Sequence, residues 1–119
     1  MKIAVLGAGA WGTALAINLS ANHPVTLWTR DADQLAELVS QRINRRYLPD
    51  LLLPDSLQLT SELDLAVKTA ELILIAIPVA GLRELLQKIK TIGKALPVVL
   101  GCKGFESQSA MLPHQVVQE

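Results

Sequence analysis

Residues 3–6 form an unbroken apolar run, and the chain passes from it straight into Gly7-Ala8-Gly9-Ala10-Trp11-Gly12. Behind those glycines, Thr13 to Leu19 contains no helix breaker. A strand that ends in glycines and continues as a helix opens a parallel crossover unit. Each glycine has a separate physical reason there. Gly7 permits the tight turn, Gly9 lets bare backbone approach a pyrophosphate, and Gly12 removes a side chain that would hold the helix off the strand. The free amides at the helix start, with the positive end of its dipole, then suit an anion. The alternative is a glycine-rich turn that only packs tightly. A second strand in the correct place, Val25 to Thr29, favours the dinucleotide reading. Trp11 is unusual inside such a turn: its indole either covers the pyrophosphate or walls the crevice, or else it packs in the core.

The rest of the chain alternates short apolar runs with helix-period segments, the pattern of parallel strands joined by crossover helices. Five strands are expected, at about Lys2 to Leu6, Val25 to Thr29, Leu57 to Thr60, Leu72 to Ile77 and Val98 to Gly101. The first and fourth are almost wholly apolar, as strands covered on both faces must be. Leu82, Leu85, Leu86 and Ile89 give one apolar helical stripe, and Leu63, Ala66, Val67 and Ala70 give another. Ser61, three residues before Asp64, has the spacing of a capping box. Asp31 to about Gln41 reads as a helix with Leu35, Leu38 and Val39 inward and Asp33, Gln34 and Glu37 outward. Asn44 to Ser56 holds Pro49 and Pro54 and reads as a loop. A last helical segment is expected near Ser109 to Glu119. Right-handed crossovers then give an α/β fold, a doubly wound, mostly parallel sheet with strand order 3-2-1-4-5, truncated before its last strands. Its ligand crevice lies at the carboxyl ends of the strands.

Three further residues fall at that crevice. Arg30 sits just after the second strand, 18 residues beyond Gly12, where a fold preferring NAD usually places an acid for the ribose hydroxyls. An arginine there can form a forked pair with a 2′-phosphate, which favours NADP(H); Asp31 next door leaves NAD(H) open, and a merely solvated Arg30 is the alternative. Pro78 ends the fourth strand and suits the first position of the next helix, either as a second helix start at the crevice or as plain punctuation. Lys103 follows the fifth strand, directed at the crevice or solvated. Cys102 beside it reads as a small filler, since no His or Asn accompanies it. His23 reads as a loop residue, His114 lies in the terminal segment, and Arg42, Arg45 and Arg46 read as a solvated basic face.

Composition limits the rest. The 119 residues are 50% apolar and 18% charged, with 11 Lys plus Arg against 11 Asp plus Glu, which fits one compact domain. Zero formal charge and no basic run argue against a nucleic-acid partner. One cysteine excludes an intrachain disulfide and a multi-cysteine zinc site, so no metal is expected and a reducing compartment, by default the cytoplasm, is. The uncharged stretch 3–22 superficially resembles a signal or a membrane span. Its three glycines and the polar Asn18, Ser20 and Asn22 argue against both, and Leu72 to Leu82, 11 residues with Pro78 inside, is too short to cross a bilayer.

G-A-G-A-W-G at 7–12, V-T-L-W-T-R at 25–30, N-R-R-Y-L-P at 44–49 and C-K-G-F-E at 102–106 occur together. In this combination the chain resembles the N-terminal nucleotide-binding part of bacterial-type NAD(P)-dependent glycerol-3-phosphate dehydrogenases, roughly the first third of such an enzyme. The resemblance implies a Rossmann-like domain over 1–119, with a helical substrate domain beyond it. It implies an oxidoreductase interconverting dihydroxyacetone phosphate and sn-glycerol 3-phosphate for phospholipid synthesis, homodimeric when full length. It implies that Ala10, Trp11, Arg30 and Lys103 contact the dinucleotide, that Lys103 also reaches the glycerol phosphate, and that the proton-accepting lysine lies beyond Glu119. The isolated chain is accordingly expected to bind NADP(H) weakly and to turn nothing over. Cys102 and Asp50 depart from the family pattern, in which another small residue and glycine are usual. Two other readings remain: a different NAD(P)-dependent reductase of similar architecture, and a non-catalytic nucleotide-sensing module.

Overall fold

The computed structural model describes residues 1–77, 81–92 and 97–100. Pro78, Cys102, Lys103, His114 and the segment expected near 109–119 lie outside the described residues. In chain order the elements are β1 (Ile3–Leu6), α1 (Ala10–Ser20), β2 (Val25–Trp28), α2 (Ala32–Gln41), β3 (Ile43–Asn44), β4 (Leu48–Leu52), β5 (Gln58–Thr60), α3 (Leu63–Lys68), β6 (Leu72–Ile75), α4 (Leu82–Ile92) and β7 (Val98–Leu100).

Five strands make one parallel sheet in the order β5-β2-β1-β6-β7, which is the 3-2-1-4-5 arrangement expected of the five main runs. β1 is central, and all four of its residues are buried. Because successive strand side chains face opposite ways, the sequence divides between two cores. Ala4 and Leu6 join Trp28, Ile73 and Ile75 beneath Leu82, Leu85 and Ile89 of α4 and Ala66 and Val67 of α3. Ile3 and Val5 join Val25 and Leu27 beneath Ala16 of α1 and Leu38 of α2. Each fully buried Leu or Ile contributes about 1.5 to 3 kcal/mol of transfer free energy, so a charge at Val5 or Ile73 would disrupt one whole layer. The strands end in register, with Leu6 opposite both Trp28 and Ile75. Their carboxyl ends therefore open onto a single edge.

Local expectations fail in three places. The stretch 44–56 is not simply a loop: β3 and β4 form a two-stranded antiparallel ribbon with an irregular register. Pro49 is tolerated because a ribbon this short is all edge, where a missing N–H leaves no ladder bond unmade. Leu53, just past it, is 1% exposed and anchors the ribbon to the core. The inward stripe of α2 is turned by one position, so that Gln34 is buried at 6% exposure and Val39 is 55% exposed. Gln34 can be buried because its amide finds partners, described below. Ser61 does not cap α3: Glu62 is the cap position, and its N–H is taken by Thr60 Oγ1 at 3.0 Å.

Candidate functional site

A cleft of about 550 Å³ opens at the carboxyl ends of β1, β2 and β6. Sheet order reverses here, since β1 leads toward β2 and β5 on one side while β6 leads to β7 on the other. Such a switch point is where open α/β sheets leave room for a ligand. Gly7, Ala8 and Gly9 form its floor; Trp28 ends β2 and Thr29 and Arg30 follow it, and Ala76 and Ile77 follow β6. Gln34, Tyr47 of the ribbon, and Glu84, Leu85 and Lys88 of α4 complete the wall.

The glycines serve different ends. Gly7 has φ +120°, a backbone state that L side chains rarely adopt, and a Cβ there would stand 2.5 Å from the Ala76 carbonyl oxygen. At Gly12 a Cβ would collide with the Gly7 carbonyl and stand 3.2 Å from the Ala76 Cβ, so α1 closes on the turn only without one. Gly9 is unlike both. Its φ of −77° is open to any residue, and a Cβ there would meet no atom within 4 Å. No packing inside the described chain requires glycine at this position, and the space above its backbone is open.

Gly9 is also the N-cap of α1, where no side chain receives the first amides and no acid stands in the first turn. The other described helices each carry one there, at Asp33, Asp64 and Glu84. The first intrahelical bond, Thr13 N–H to Gly9 O at 3.0 Å, leaves the preceding amides to solvent or a ligand. With the positive end of the helix dipole, this is an anion cradle.

Arg30 is exposed at the rim, and among the described residues it has no ion-pair or hydrogen-bond partner. Asp31 is committed elsewhere. Its Oδ1 accepts the N–H of Asp33 at 2.9 Å and of Gln34 at 3.2 Å, and its Oδ2 pairs with Arg46 at 3.1 Å. The Gln34 amide above all, with Arg46 and the Asp33 amide, holds this carboxyl below the usual aspartate range and outweighs the desolvation that opposes it. All three arginines of 42–46 have structural partners. Arg42 donates to the carbonyls of Pro54 and Leu57, Arg45 to Gln41, and Arg46 to Asp31 and Glu37.

Ala10 and Trp11 lie on the first turn of α1 beside the cleft lining. Trp11 is 51% exposed, which removes the core-packing alternative for its indole. Sequence reasoning missed Gln34, Tyr47, Glu84 and Lys88 at the cleft. An aromatic in N-R-R-Y-L-P was the available signal for Tyr47, whereas nothing in a helical period marks an exposed Lys88 as facing a cavity. Among the described residues no helix is long and apolar enough to cross a membrane.

Comparison with known proteins places this geometry. A family model described as NAD-dependent glycerol-3-phosphate dehydrogenase N-terminus matches residues 2–119. A glycerol-3-phosphate dehydrogenase (NAD(P)+) of Nitrosospira multiformis is 63% identical over 123 residues, a match covering 100% of this chain and 37% of that protein. Its counterpart in Nitrosomonas eutropha is 60% identical over 119 residues, again covering 100% of this chain and 36% of the relative. The crystal structure of a Coxiella burnetii glycerol-3-phosphate dehydrogenase superposes with a TM-score of 0.85 at 33% identity, covering 98% of this chain and 36% of that one. The chain thus spans little more than a third of the length of the curated relatives it matches. Fold and sequence agree that the chain belongs to the family of NAD-dependent glycerol-3-phosphate dehydrogenase N-termini.

Proposed function

We propose that residues 1–119 are the dinucleotide-binding domain of an NAD(P)-dependent oxidoreductase that interconverts dihydroxyacetone phosphate and sn-glycerol 3-phosphate. The observation that carries the reading is Gly9, a glycine that its own fold does not need, at an uncapped helix start on the switch point of the sheet. A bridging diphosphate fits there: bare backbone approaches it, and the open amides of α1 donate to it. Gly7, Gly9, Ala10, Trp11 and Gly12 hold that part of the coenzyme in this reading.

A nicotinamide coenzyme supplies hydride exchange with the carbonyl carbon of the substrate. The residues of this chain bind and orient. Arg30, at the rim and without a partner among the described residues, reads a 2′-phosphate as a forked pair, while the Asp31 carboxylate is turned to its own helix and to Arg46 and is poorly placed to receive ribose hydroxyls. This supports NADP(H) as the preferred coenzyme, with NAD(H) as the weaker. Lys103, outside the described residues, is assigned by resemblance to the coenzyme and to the substrate phosphate; Pro78, also outside them, is assigned to the coenzyme by its position after the fourth strand, as a helix start at the crevice. The proton-accepting lysine, the helical substrate domain, a homodimer and a cytoplasmic site of action belong to the same proposal. Assay of the full-length gene product for NADPH consumption on addition of dihydroxyacetone phosphate tests it. Turnover is expected; coenzyme binding with no turnover on this substrate would favour a different reductase or a nucleotide sensor.

A further inference from the structure

The Ala8 carbonyl oxygen is gripped by two buried side-chain amides from elements far apart in sequence. Gln34 Nε2, on α2, donates to it at 2.8 Å, and Asn44 Nδ2, on β3, donates to it at 2.8 Å. These side chains are only 6% and 1% exposed. Each is itself fixed. Thr29 Oγ1 donates to Gln34 Oε1 at 2.6 Å, and Asn44 Nδ2 also donates to Thr13 Oγ1 at 2.8 Å. Although Gln34 borders the cleft, its amide oxygen and nitrogen are thus both engaged within the protein.

The consequence follows from the peptide bond. It is planar and trans here, so the Ala8 C=O and the Gly9 N–H lie in one rigid plane and point in opposite directions within it. Two donors occupy both lone pairs of the oxygen. Rotating the plane would strand two buried amides away from water, an outcome that interiors avoid. The direction of the Gly9 N–H is therefore set from behind, by the residues that hold the carbonyl oxygen at the other end of the same plane. Gly9 cannot fix that direction itself, because glycine is the residue with the widest backbone freedom.

We propose that Gln34 and Asn44 are positioning residues that aim the Gly9 amide at the coenzyme diphosphate. The inference rests on the dinucleotide reading above and deepens it. Through Asn44 the β3–β4 ribbon also becomes part of the anion cradle.

The test uses the full-length gene product and two ligands, ADP-ribose, which contains the diphosphate, and adenosine, which lacks it. In Gln34→Met, which keeps length and removes both polar ends, the dissociation constant for ADP-ribose should rise about tenfold or more while that for adenosine changes by less than about twofold. The coenzyme KM should rise with kcat little changed, and Asn44→Asp, which has no N–H to donate, should behave likewise. Equal losses for both ligands would show mere structural support and overturn the proposal, as would no loss for either. Should both variants fail to fold, amide resonances of the unaltered protein decide: ADP-ribose should move the Gly9 N–H strongly, and an unmoved Gly9 overturns the proposal. An unaltered protein that binds no ADP-ribose would overturn the dinucleotide reading and this inference together, whereas tight binding unaffected by the variants overturns this inference alone.

Discussion

Arg46 and Asp31 are joined at 3.1 Å, and the same Asp31 carboxylate caps α2. A second nitrogen of Arg46 reaches Glu37 at 3.0 Å, so one guanidinium ties the ribbon to both the start and the middle of that helix. The pair is nearly half exposed, and its Coulomb energy is correspondingly small. Its importance is directional: it commits the acid beside Arg30 to the start of α2 and to the ribbon.

Acid should release this arrangement. The Gln34 amide above all, then Arg46 and the Asp33 amide, favour the charged form of Asp31 and lower its folded-state pKa. A depressed value contributes stability above the unfolded pKa, and the contribution disappears as pH falls through the folded one. Asparagine retains a good cap but cannot pair with Arg46. Thermal melts of the unaltered protein should therefore exceed those of Asp31→Asn at neutral pH, with the gap closing as pH falls through the lowered folded-state value of Asp31. A gap of constant size down to the acid end would contradict the assignment.

Arg30 should discriminate between coenzymes. In Arg30→Asp the affinity for NADPH at low salt is expected to fall about tenfold or more, because a forked cation is replaced by a like charge. Affinity for NADH should fall much less. Unchanged NADPH binding would show that Arg30 does not read the 2′-phosphate.

Arg42 ends α2 with φ 55°, a left-handed state unusual for a side chain, and its guanidinium reaches Leu57 O at 3.0 Å as well as Pro54 O. Substitution by alanine loses the bonds and keeps the backbone cost, whereas glycine loses the bonds and relieves it. Arg42→Gly should be more stable than Arg42→Ala by about 1 kcal/mol, the reverse of helix propensity. Urea unfolding midpoints measure the difference, and an alanine variant that matches or exceeds the glycine variant would contradict it.

The sheet was legible because β1 and β6 are apolar on both faces, which only a doubly covered parallel strand requires. The glycine turn was legible because strand, glycines and helix follow one another without a gap. Gln34 was not. A polar residue next to the apolar stripe is assigned outward by period alone, and its burial depends on Thr29 and Ala8, partners that only the folded chain brings together. Asn44 was hidden for the same reason, since Ala8 and Thr13 lie more than 30 residues away. The ribbon was missed because Pro49 argues against a strand everywhere except at an edge.

Gly9 is glycine for a ligand and not for the fold, and two variants compared side by side separate those roles. Because a Cβ at Gly9 meets nothing within 4 Å, Gly9→Val should melt within about 8 °C of the unaltered protein, whereas Gly12→Ala, set against the Gly7 carbonyl, should melt well below it. The dissociation constant of NADPH for Gly9→Val is the measurement. A rise of about tenfold or more is expected in a folded protein, and unaltered affinity in that folded variant would mean that Gly9 is not kept bare for the ligand.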